Sequence, residues 1–206
     1  MSTLTLYTNP HSRGRIARWM LEEIGVPYDT VVLPYGPGMK TPEYLALNPM
    51  GKVPTLVHGD TVVTEVAAIL AYLADVFPQA GLAPPPSDHA ARGAYWRWLF
   101  FAAGPMEAAI TDQALGVKPE AKQQGFVGYG NAQLTEETLA GALAGRPFIA
   151  GDRFSAADVY LCAKLDFALA FGNLPKRPEF VAYCAAHAER PAKRRAAALD
   201  DAAAKP

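Results

Sequence analysis

Three consecutive prolines at positions 84–86 constrain the fold of this chain more than any other feature of its sequence. Proline cannot continue a helix, and a run of prolines favours a stiff, extended connection. The composition also changes there: β-branched residues punctuated by Pro and Gly precede the run, and Ala- and Leu-rich helical patterns follow it. We therefore predict two domains, residues 1–82 and 88–206, joined by a linker at residues 83–87.

The first domain alternates between strand and helix patterns. Leu4 and Leu6 alternate with Thr and Tyr neighbours at the period of two that is typical of a strand. Apolar residues at helical spacing then continue to Gly25, which is predicted to end the first helix. The patterns that follow predict a strand at residues 28–33 and a short helical or irregular stretch at residues 39–47. They then predict a hairpin formed by residues 53–57 and 61–63, and a further helix at residues 65–75.

The second domain shows helical patterns throughout. Ser87 or Asp88 is predicted to cap a long helix, and Gly104 followed by Pro105 is expected to kink or break it. Two further helices are predicted at residues 131–143 and 178–188. The sequence thus predicts an α/β domain followed by an all-α domain.

The last third of the chain contains one segment predicted to be buried and one predicted to be exposed. Ser155 and Asp158 have the spacing of a capping box, and the segment after them is apolar nearly all round, so we expect a buried central helix. Residues 193–206 are Ala-rich and polar, with basic residues balanced by Asp200 and Asp201. We expect a solvated surface with a frayed end there.

The overall composition excludes several classes of protein. Half of the 206 residues are hydrophobic, which is enough for a sizeable core, and the net charge of −1 argues against a nucleic-acid-binding protein. Apolar runs of about 20 residues and a secretory signal are both missing from the sequence. We therefore expect a cytoplasmic protein without membrane partners. Two cysteines, Cys162 and Cys184, are too few for a disulfide framework, and the histidines share no ligand spacing, so no metal is expected.

Three turns in the first domain carry candidate binding residues. Ser12 precedes the first helix, where amides and the helix dipole attract an anion, although a serine there can also act only as a cap. Pro54 cannot donate to a strand ladder. It is either an ordinary edge-strand proline or a residue, cis to Val53, that leaves the preceding backbone free to pair with an extended ligand. Glu65 is either a helix-start acid or the partner of an ammonium group.

A fourth candidate is an aromatic cluster in the second domain. Several aromatic residues in succession cannot all face the core, so some could line an apolar cleft, although packing between helices or subunits explains most such clusters. The cluster, which lies just before Gly104, consists of Tyr95, Trp96, Trp98, Phe100 and Phe101.

Taken in order and spacing, four segments resemble the cytosolic glutathione transferases: residues 12–19, 48–56, 64–65 and 154–158. The pattern Pro-x-Ser-Arg around the first segment, followed by an apolar helix and Leu-Glu-Glu, looks most like that of a bacterial branch of the family. The resemblance implies a thioredoxin-like N-terminal domain and an all-helical C-terminal domain. It also implies a cis peptide bond in the second segment, glutathione bound across the N-terminal domain, and a homodimer.

The resemblance further implies roles for single residues. Ser12 would face the glutathione sulfur, with Tyr7 and Asn9 as alternatives because this stretch does not align uniquely with the family. The Val53 backbone, beside Pro54, would pair with the cysteinyl part of glutathione. Glu65 would bind the ammonium group of the γ-glutamyl part, and the Val66 amide would bind the carboxylate of that part. Lys40 and Lys52 would bind the glycyl carboxylate. The family usually has Ser or Thr where this chain has Val66. One charge-assisted hydrogen bond of about 1.5–3 kcal/mol is therefore lost.

The activity that the resemblance implies is that of a glutathione S-transferase acting in detoxification, in which the glutathione thiolate attacks a hydrophobic electrophile. The alternatives are a glutathione-dependent disulfide reductase or peroxidase, and a non-catalytic binding module with the same fold. The residues expected to contact the electrophile are Tyr95, Trp98, Phe101 and Met106.

Overall fold

A computed structural model describes residues 3–205 of the chain. Residues 1, 2 and 206, which the predicted domains include, lie outside the described part. The chain divides into two compact units: the first runs to Leu82 and resumes at Glu189, and the second is Ala83–Ala188. The contacts group the residues from Glu189 onward with the first half of the chain, whereas the predicted second domain includes them. The predicted domain boundaries therefore stay a prediction.

In the described residues, the first unit contains a four-stranded sheet with the strand order β2-β1-β3-β4. Strand β1 pairs in parallel with β2 and antiparallel with β3, and β3 pairs antiparallel with β4. The strands are β1 (Leu4–Thr8), β2 (Asp29–Val32), β3 (Thr55–His58) and β4 (Thr61–Thr64). This mixed sheet, with helices between its strands, confirms the predicted thioredoxin-like domain.

The apolar patterns near the start of the chain correctly predict strand β1 and the end of the first helix. Leu4 and Leu6 on β1 are fully or almost fully buried, while Tyr7 is half-buried, as the period of two predicts. The first helix ends at Gly25, whose φ of 74° is the left-handed conformation that favours glycine at this position. The helices are α1 (Gly14–Ile24), α2 (Pro42–Leu47), α3 (Val66–Val76) and α9 (Pro191–Ala203), with 3₁₀ turns at Pro37–Met39 and Pro78–Ala80.

The second unit is helical, as predicted. The side chain of Asp88 accepts a hydrogen bond from the Ala91 amide at 3.0 Å and so caps α4. The predicted break at Gly104 is also confirmed, since α4 ends there and α5 begins at Pro105. The helices are α4 (His89–Ala103), α5 (Pro105–Ala114), α6 (Ala132–Leu143), α7 (Ala156–Ala170) and α8 (Pro178–Ala188), with a 3₁₀ turn at Ala121–Gln123.

The capping box at the start of α7 is complete in the structure. The Ser155 side chain accepts from the backbone of the third helical residue, and the carboxylate of Asp158 accepts from the Ser155 amide at 2.8 Å. Asp158 is fully buried and also accepts from the Ile149 amide at 2.8 Å and the Tyr183 hydroxyl at 2.7 Å. Burial raises the pKa of Asp158, while these hydrogen bonds act in the opposite direction. The predicted buried central helix is therefore confirmed, and Asp158 ties it to α8.

The prediction that residues 193–206 form a solvated surface is wrong for one face of the helix there, while Arg194, Arg195 and Asp201 are exposed as predicted. Helix α9 packs against α1 and buries Ala192, Ala196 and Asp200, which are spaced four residues apart on one helix face. Asp200 accepts a hydrogen bond from the Nε of Arg18, itself only 4% exposed, at 2.8 Å. A short polar helix can pack in this way because its buried stripe is mostly alanine, and its one buried acid has a cationic partner.

In the Arg18–Asp200 pair, the guanidinium has further hydrogen-bond partners, but one carboxylate oxygen has none among the described residues. The guanidinium of Arg18 also donates to the Tyr28 hydroxyl and to Thr30 Oγ1, both at 3.2 Å. Asp200 Oδ2, by contrast, is buried and receives no hydrogen bond from the described residues. Burial raises the pKa of Asp200, against the effect of Arg18. The pair therefore fixes the geometry between α1 and α9 at a desolvation cost to its carboxylate.

None of the helices in the described part of the chain has the combination of length and apolar character that a membrane crossing requires.

Candidate functional site

The three candidate turns of the first unit lie at one edge of its sheet. Tyr7 near the end of β1 pairs with Thr55 at the start of β3, and Thr55 pairs with Thr64 at the end of β4. Because β3 runs antiparallel to both neighbours, the end of β1, the start of β3 and the end of β4 meet at the same edge. The strand register thus brings together the turns that carry Ser12, Pro54 and Glu65.

Ser12 makes two hydrogen bonds within the turn that precedes α1. Its Oγ accepts from the Gly14 amide at 2.9 Å and donates to the Asn9 carbonyl at 2.7 Å. The side chain is buried, with 8% of the residue exposed. Arg13 occupies the N-cap position of α1, which has no side-chain capping bond. Ser12, one residue earlier, instead stabilises the turn that leads into α1. A bound thiolate would have to compete with the Asn9 carbonyl for the hydroxyl proton, or receive it after rotation of the side chain.

The two alternative residues differ in how fully they are engaged. Both ends of the Asn9 amide are occupied: Oδ1 accepts from the His11 amide at 2.9 Å, and Nδ2 donates to the Leu33 carbonyl at 2.8 Å. Asn9 therefore shapes the turn. Tyr7 is half-buried, with its ring 5.6 Å from that of Tyr44. Across residues 3–205 its hydroxyl makes no hydrogen bond, so its proton is available to a ligand.

The peptide bond between Val53 and Pro54 is cis, as the resemblance implied. The turn before it is held by two side chains: the Tyr44 hydroxyl and Asn48 Nδ2 both donate to the Lys52 carbonyl. The backbone of Val53 has no hydrogen-bonding partner among the described residues, although Val53 is half-buried. A free amide and carbonyl beside a sheet edge can pair with an extended ligand.

The contacts of Tyr44 and Asn48 with this turn were not predicted from the sequence. Tyr44 and Asn48 both contact the Thr55 hydroxyl as well, at 2.9 Å and 3.1 Å, and all three residues are buried. Burial raises the pKa of Tyr44. The spacing of Tyr44 and Asn48, one helical turn apart, was the available signal, because it places both side chains on one side of α2 and its C-terminal end.

Glu65 is the only residue other than glycine, within residues 3–205, with a positive φ. Its φ of 64° and ψ of 123° place it at the start of α3 with its side chain exposed. Such a conformation costs about 1–3 kcal/mol and persists where the surrounding structure imposes it. The strain keeps the carboxylate at the sheet edge, directly before the helix amides. The side chain of Val66, the next residue, is buried, so only its backbone amide can bind a ligand at this turn.

Replacing Glu65 with glycine should separate the strain at this position from its binding role. Relief of about 1–3 kcal/mol of strain exceeds the roughly 0.5–1 kcal/mol entropic cost of a glycine. We therefore expect E65G to unfold at a higher denaturant concentration than the wild type, and to bind glutathione more weakly in calorimetry. E43G, at an exposed acid in the first turn of α2, is the control, and should lower stability without affecting binding. A more stable E65G that binds glutathione normally would exclude a role for the carboxylate.

The two lysines implied for the glycyl carboxylate lie at the same loop. Lys40 Nζ donates to the carbonyls of Met50 and Gly51 at 2.9 Å and 3.2 Å. Lys52 follows in the chain, and both lysine residues are exposed. The structure therefore places their charges on the loop that precedes Val53, where Lys40 also braces the backbone.

The residues implied for the electrophile are mostly in the core of the second unit. Tyr95, Trp98 and Met106 are at most 5% exposed, and Phe101 is half-buried. Phe100 is 65% exposed, as expected if consecutive aromatic residues cannot all face the core. Of the implied set, Phe101 is thus the side chain most open to a ligand.

Comparison with known proteins agrees with this geometry. Residues 12–76 match the family model described as "Glutathione S-transferase, N-terminal domain". Glutathione S-transferase GST-4.5 of Xanthomonas campestris is 30% identical over 171 residues, which cover 80% of this chain and 82% of that protein. The chain belongs to the glutathione S-transferase family.

Solved structures of glutathione S-transferases match this family member along nearly its whole length. A glutathione transferase from Methylococcus capsulatus superposes with a TM-score of 0.80 at 29% identity, over 97% of this chain and 100% of that one. A sphingomonad glutathione S-transferase solved in complex with glutathione has a TM-score of 0.77 at 27% identity, over 96% of this chain and 98% of that one. The fold of this transferase is therefore that of the family in both of its units.

Proposed function

We propose that this glutathione S-transferase binds glutathione along the sheet edge of its first unit and transfers the thiolate to a hydrophobic electrophile. The observation that carries the proposal is the unpaired Val53 backbone beside the cis Pro54, with Ser12 and Glu65 on the flanking turns. The sphingomonad relative, solved with glutathione, supports the ligand. Family membership favours transfer over the reductase, peroxidase and non-catalytic alternatives.

Each part of the tripeptide has a chemically suited partner in this proposal. The Val53 amide and carbonyl pair with the cysteinyl residue, as an added strand would. Glu65 binds the γ-glutamyl ammonium, and the Val66 amide, at the positive end of α3, binds the adjacent carboxylate. Lys40 and Lys52 attract the glycyl carboxylate from their exposed loop.

Thiol activation needs only modest energies. A free thiol has a pKa near ~8.5, and lowering it by about two units takes roughly 2.7 kcal/mol of preference for the anion. The start of a helix supplies about 0.3–1 kcal/mol, and one hydrogen bond to the thiolate adds about 1.5–3 kcal/mol. A hydroxyl together with the start of α1 is therefore sufficient. Because the Ser12 proton is shared with the Asn9 carbonyl, its net contribution falls at the lower end of this range.

The S12A variant tests which side chain activates the thiol. If the Ser12 hydroxyl stabilises the thiolate, its loss should raise the pKa of bound glutathione by about one unit, since ~1.4 kcal/mol corresponds to one pKa unit. Glutathione affinity should change little, because the bond to the neutral thiol is weak. Loss of the hydrogen bond from the buried Gly14 amide should also cost about 1–3 kcal/mol of stability. Thiolate absorbance, titrated against pH in the bound complex, measures the shift.

Y7F and N9A provide the comparison in the same titration. Both should leave the thiol pKa unchanged if Ser12 is the donor. A shift in Y7F together with an unchanged S12A would transfer the role to the Tyr7 hydroxyl, which is the unengaged one. No shift in any of the three variants would assign activation to backbone amides.

We also propose that the electrophile contacts α4 and that the protein is a homodimer. The half-buried Phe101 is the residue of the implied set that a hydrophobic substrate can reach, with Tyr95, Trp98 and Met106 supporting it from the core. Exposed apolar side chains such as Phe100 and Met50, at 65% and 67% exposure, are available to an interface.

Light scattering tests the dimer directly. One chain weighs 22.1 kDa, so the homodimer should scatter as a particle of twice that mass across micromolar concentrations. A mass of one chain over the whole concentration range would contradict the proposal.

A further inference from the structure

Two cysteines and an aspartate converge inside the second unit. Cys162 and Asp166 lie four residues apart on α7 and so share one helix face, and Cys184 reaches them from α8. Their Sγ and carboxylate oxygen atoms all lie within 4.8 Å of one another. Cys162 is fully buried, Cys184 is 8% exposed and Asp166 is half-buried. The cluster is therefore enclosed, with its carboxylate on the side that solvent reaches.

Hydrogen bonds of the two thiols link the members of the cluster. Cys162 Sγ donates to Asp166 Oδ2 at 3.9 Å, and Cys184 Sγ donates to the Cys162 carbonyl at 3.9 Å. Thiols are weak donors, and these distances are long. The Cys162 thiol and burial together raise the pKa of Cys184. Two thiols and a carboxyl group thus face one another, and all three groups become strong ligands when deprotonated next to a cation.

The distances suit a tetrahedral metal ion. With Zn–S bonds of about 2.3 Å and Zn–O bonds of about 2.0–2.2 Å, neighbouring ligand atoms lie roughly 3.5–3.8 Å apart. Separations of at most 4.8 Å therefore need a contraction of about 1 Å, which side-chain rotation can provide. We propose that Cys162, Cys184 and Asp166 form a binding site for a thiophilic divalent cation, Zn²⁺ or Cd²⁺, with the fourth position open to solvent. This site is independent of the proposed glutathione chemistry.

His187 does not complete the site. It lies one turn after Cys184 on α8, but its Nε2 is hydrogen-bonded to the Pro147 carbonyl at 2.9 Å, and its ring stacks on Phe148. The fourth ligand is therefore a water or another small ligand that enters beside Asp166. Three protein ligands with one position left for water are also the arrangement of catalytic zinc sites.

The carboxylate favours a cation over a disulfide at this cluster. Disulfide formation begins with a thiolate, and Asp166 disfavours a second negative charge next to it. A divalent cation reverses this balance, because it stabilises the same three anionic groups together.

Cadmium titration of the reduced, metal-free chain tests the proposal. We expect ultraviolet absorbance from two thiolate–cadmium bonds that saturates at one ion per chain, release of two protons per ion, and displacement of cadmium by excess Zn²⁺. C162S and C184S should lose this absorbance. D166N should retain it with an affinity lowered about tenfold or more, since even outer-shell partners change metal affinity by about 10–100-fold. D152N, at an exposed acid of the same unit, should bind as the wild type does.

A second measurement needs no variant. Bound Cd²⁺ should slow the reaction of both thiols with a disulfide reagent in the unaltered chain, whether or not the serine variants fold. Absence of thiolate–cadmium absorbance would overturn the proposal. Equal cadmium affinity in D166N and the wild type would remove Asp166 from the site. Recovery of a Cys162–Cys184 disulfide, with no metal protection of the reduced thiols, would show that the cluster is a redox pair instead.

Discussion

D158A should be close to unfolded under conditions in which the wild type is stable. The variant removes the acceptor of the Ile149 amide, the Ser155 amide and the Tyr183 hydroxyl, all buried. Each buried donor left without an acceptor costs about 1–3 kcal/mol. Three of them therefore remove a large part of the about 5–15 kcal/mol that stabilises a typical domain. Denaturant titration followed by circular dichroism measures the loss.

Two further variants make this result interpretable. D88A removes the exposed cap of α4, another Asp at a helix start in the same unit, and should cost only about 0.5–2 kcal/mol. D158N keeps the shape but exchanges one acceptor oxygen for a donor, so its stability should lie between that of D158A and the wild type. If D158A and D88A were equally stable, burial and the multiple hydrogen bonds of Asp158 would not matter.

D200A should produce the second large effect, in the first unit. Arg18 is 4% exposed and loses the one carboxylate partner that it has within residues 3–205. Removal of one member of a buried ion pair typically costs about 3–5 kcal/mol, because the other charge stays buried without compensation. The remaining bonds to Tyr28 and Thr30 moderate this cost, so we expect about 3 kcal/mol. Chemical denaturation of the full chain is the measurement.

The neighbouring residue provides a matched control. Asp201 pairs with Arg15 at 2.9 Å, and the Asp201 side chain is 66% exposed. An exposed pair contributes about 0–1 kcal/mol, so D201A should remain near wild-type stability. The double variant R18M/D200L should recover much of the loss, since an apolar pair can replace a buried ion pair. Similar losses in D200A and D201A would mean that burial does not determine the strength of this contact.

Local signals in the sequence predicted most of the elements. The strand of Leu4 and Leu6, the helix end at Gly25 and the cap at Asp88 each depend on residues within a few positions, so the sequence alone was sufficient. The candidate turns could also be located, because Ser12 and Glu65 lie directly at predicted strand-to-helix junctions. Whether a side chain caps a helix or contacts a ligand could not be predicted, since both uses place Ser12 at the same point in the chain.

The features that the sequence did not predict depend on partners that are distant in the chain. Asp200 is buried because Arg18, 182 residues earlier, accompanies it. The convergence of Cys162 with Cys184 requires α7 and α8 to be packed. The positive φ of Glu65 is imposed by the strand and helix on either side of it, against the preference of the residue itself.

Helix α9 also affects the order in which the protein can be completed during synthesis. The ribosome must add all of Ala83–Ala188 before α9 exists, at about 5–20 residues per second. For roughly 5–20 s, while the second unit is being synthesised, the face of α1 that α9 later covers stays open on the nascent chain. The first unit is therefore synthesised first, but its packing is completed only after the second unit has been synthesised.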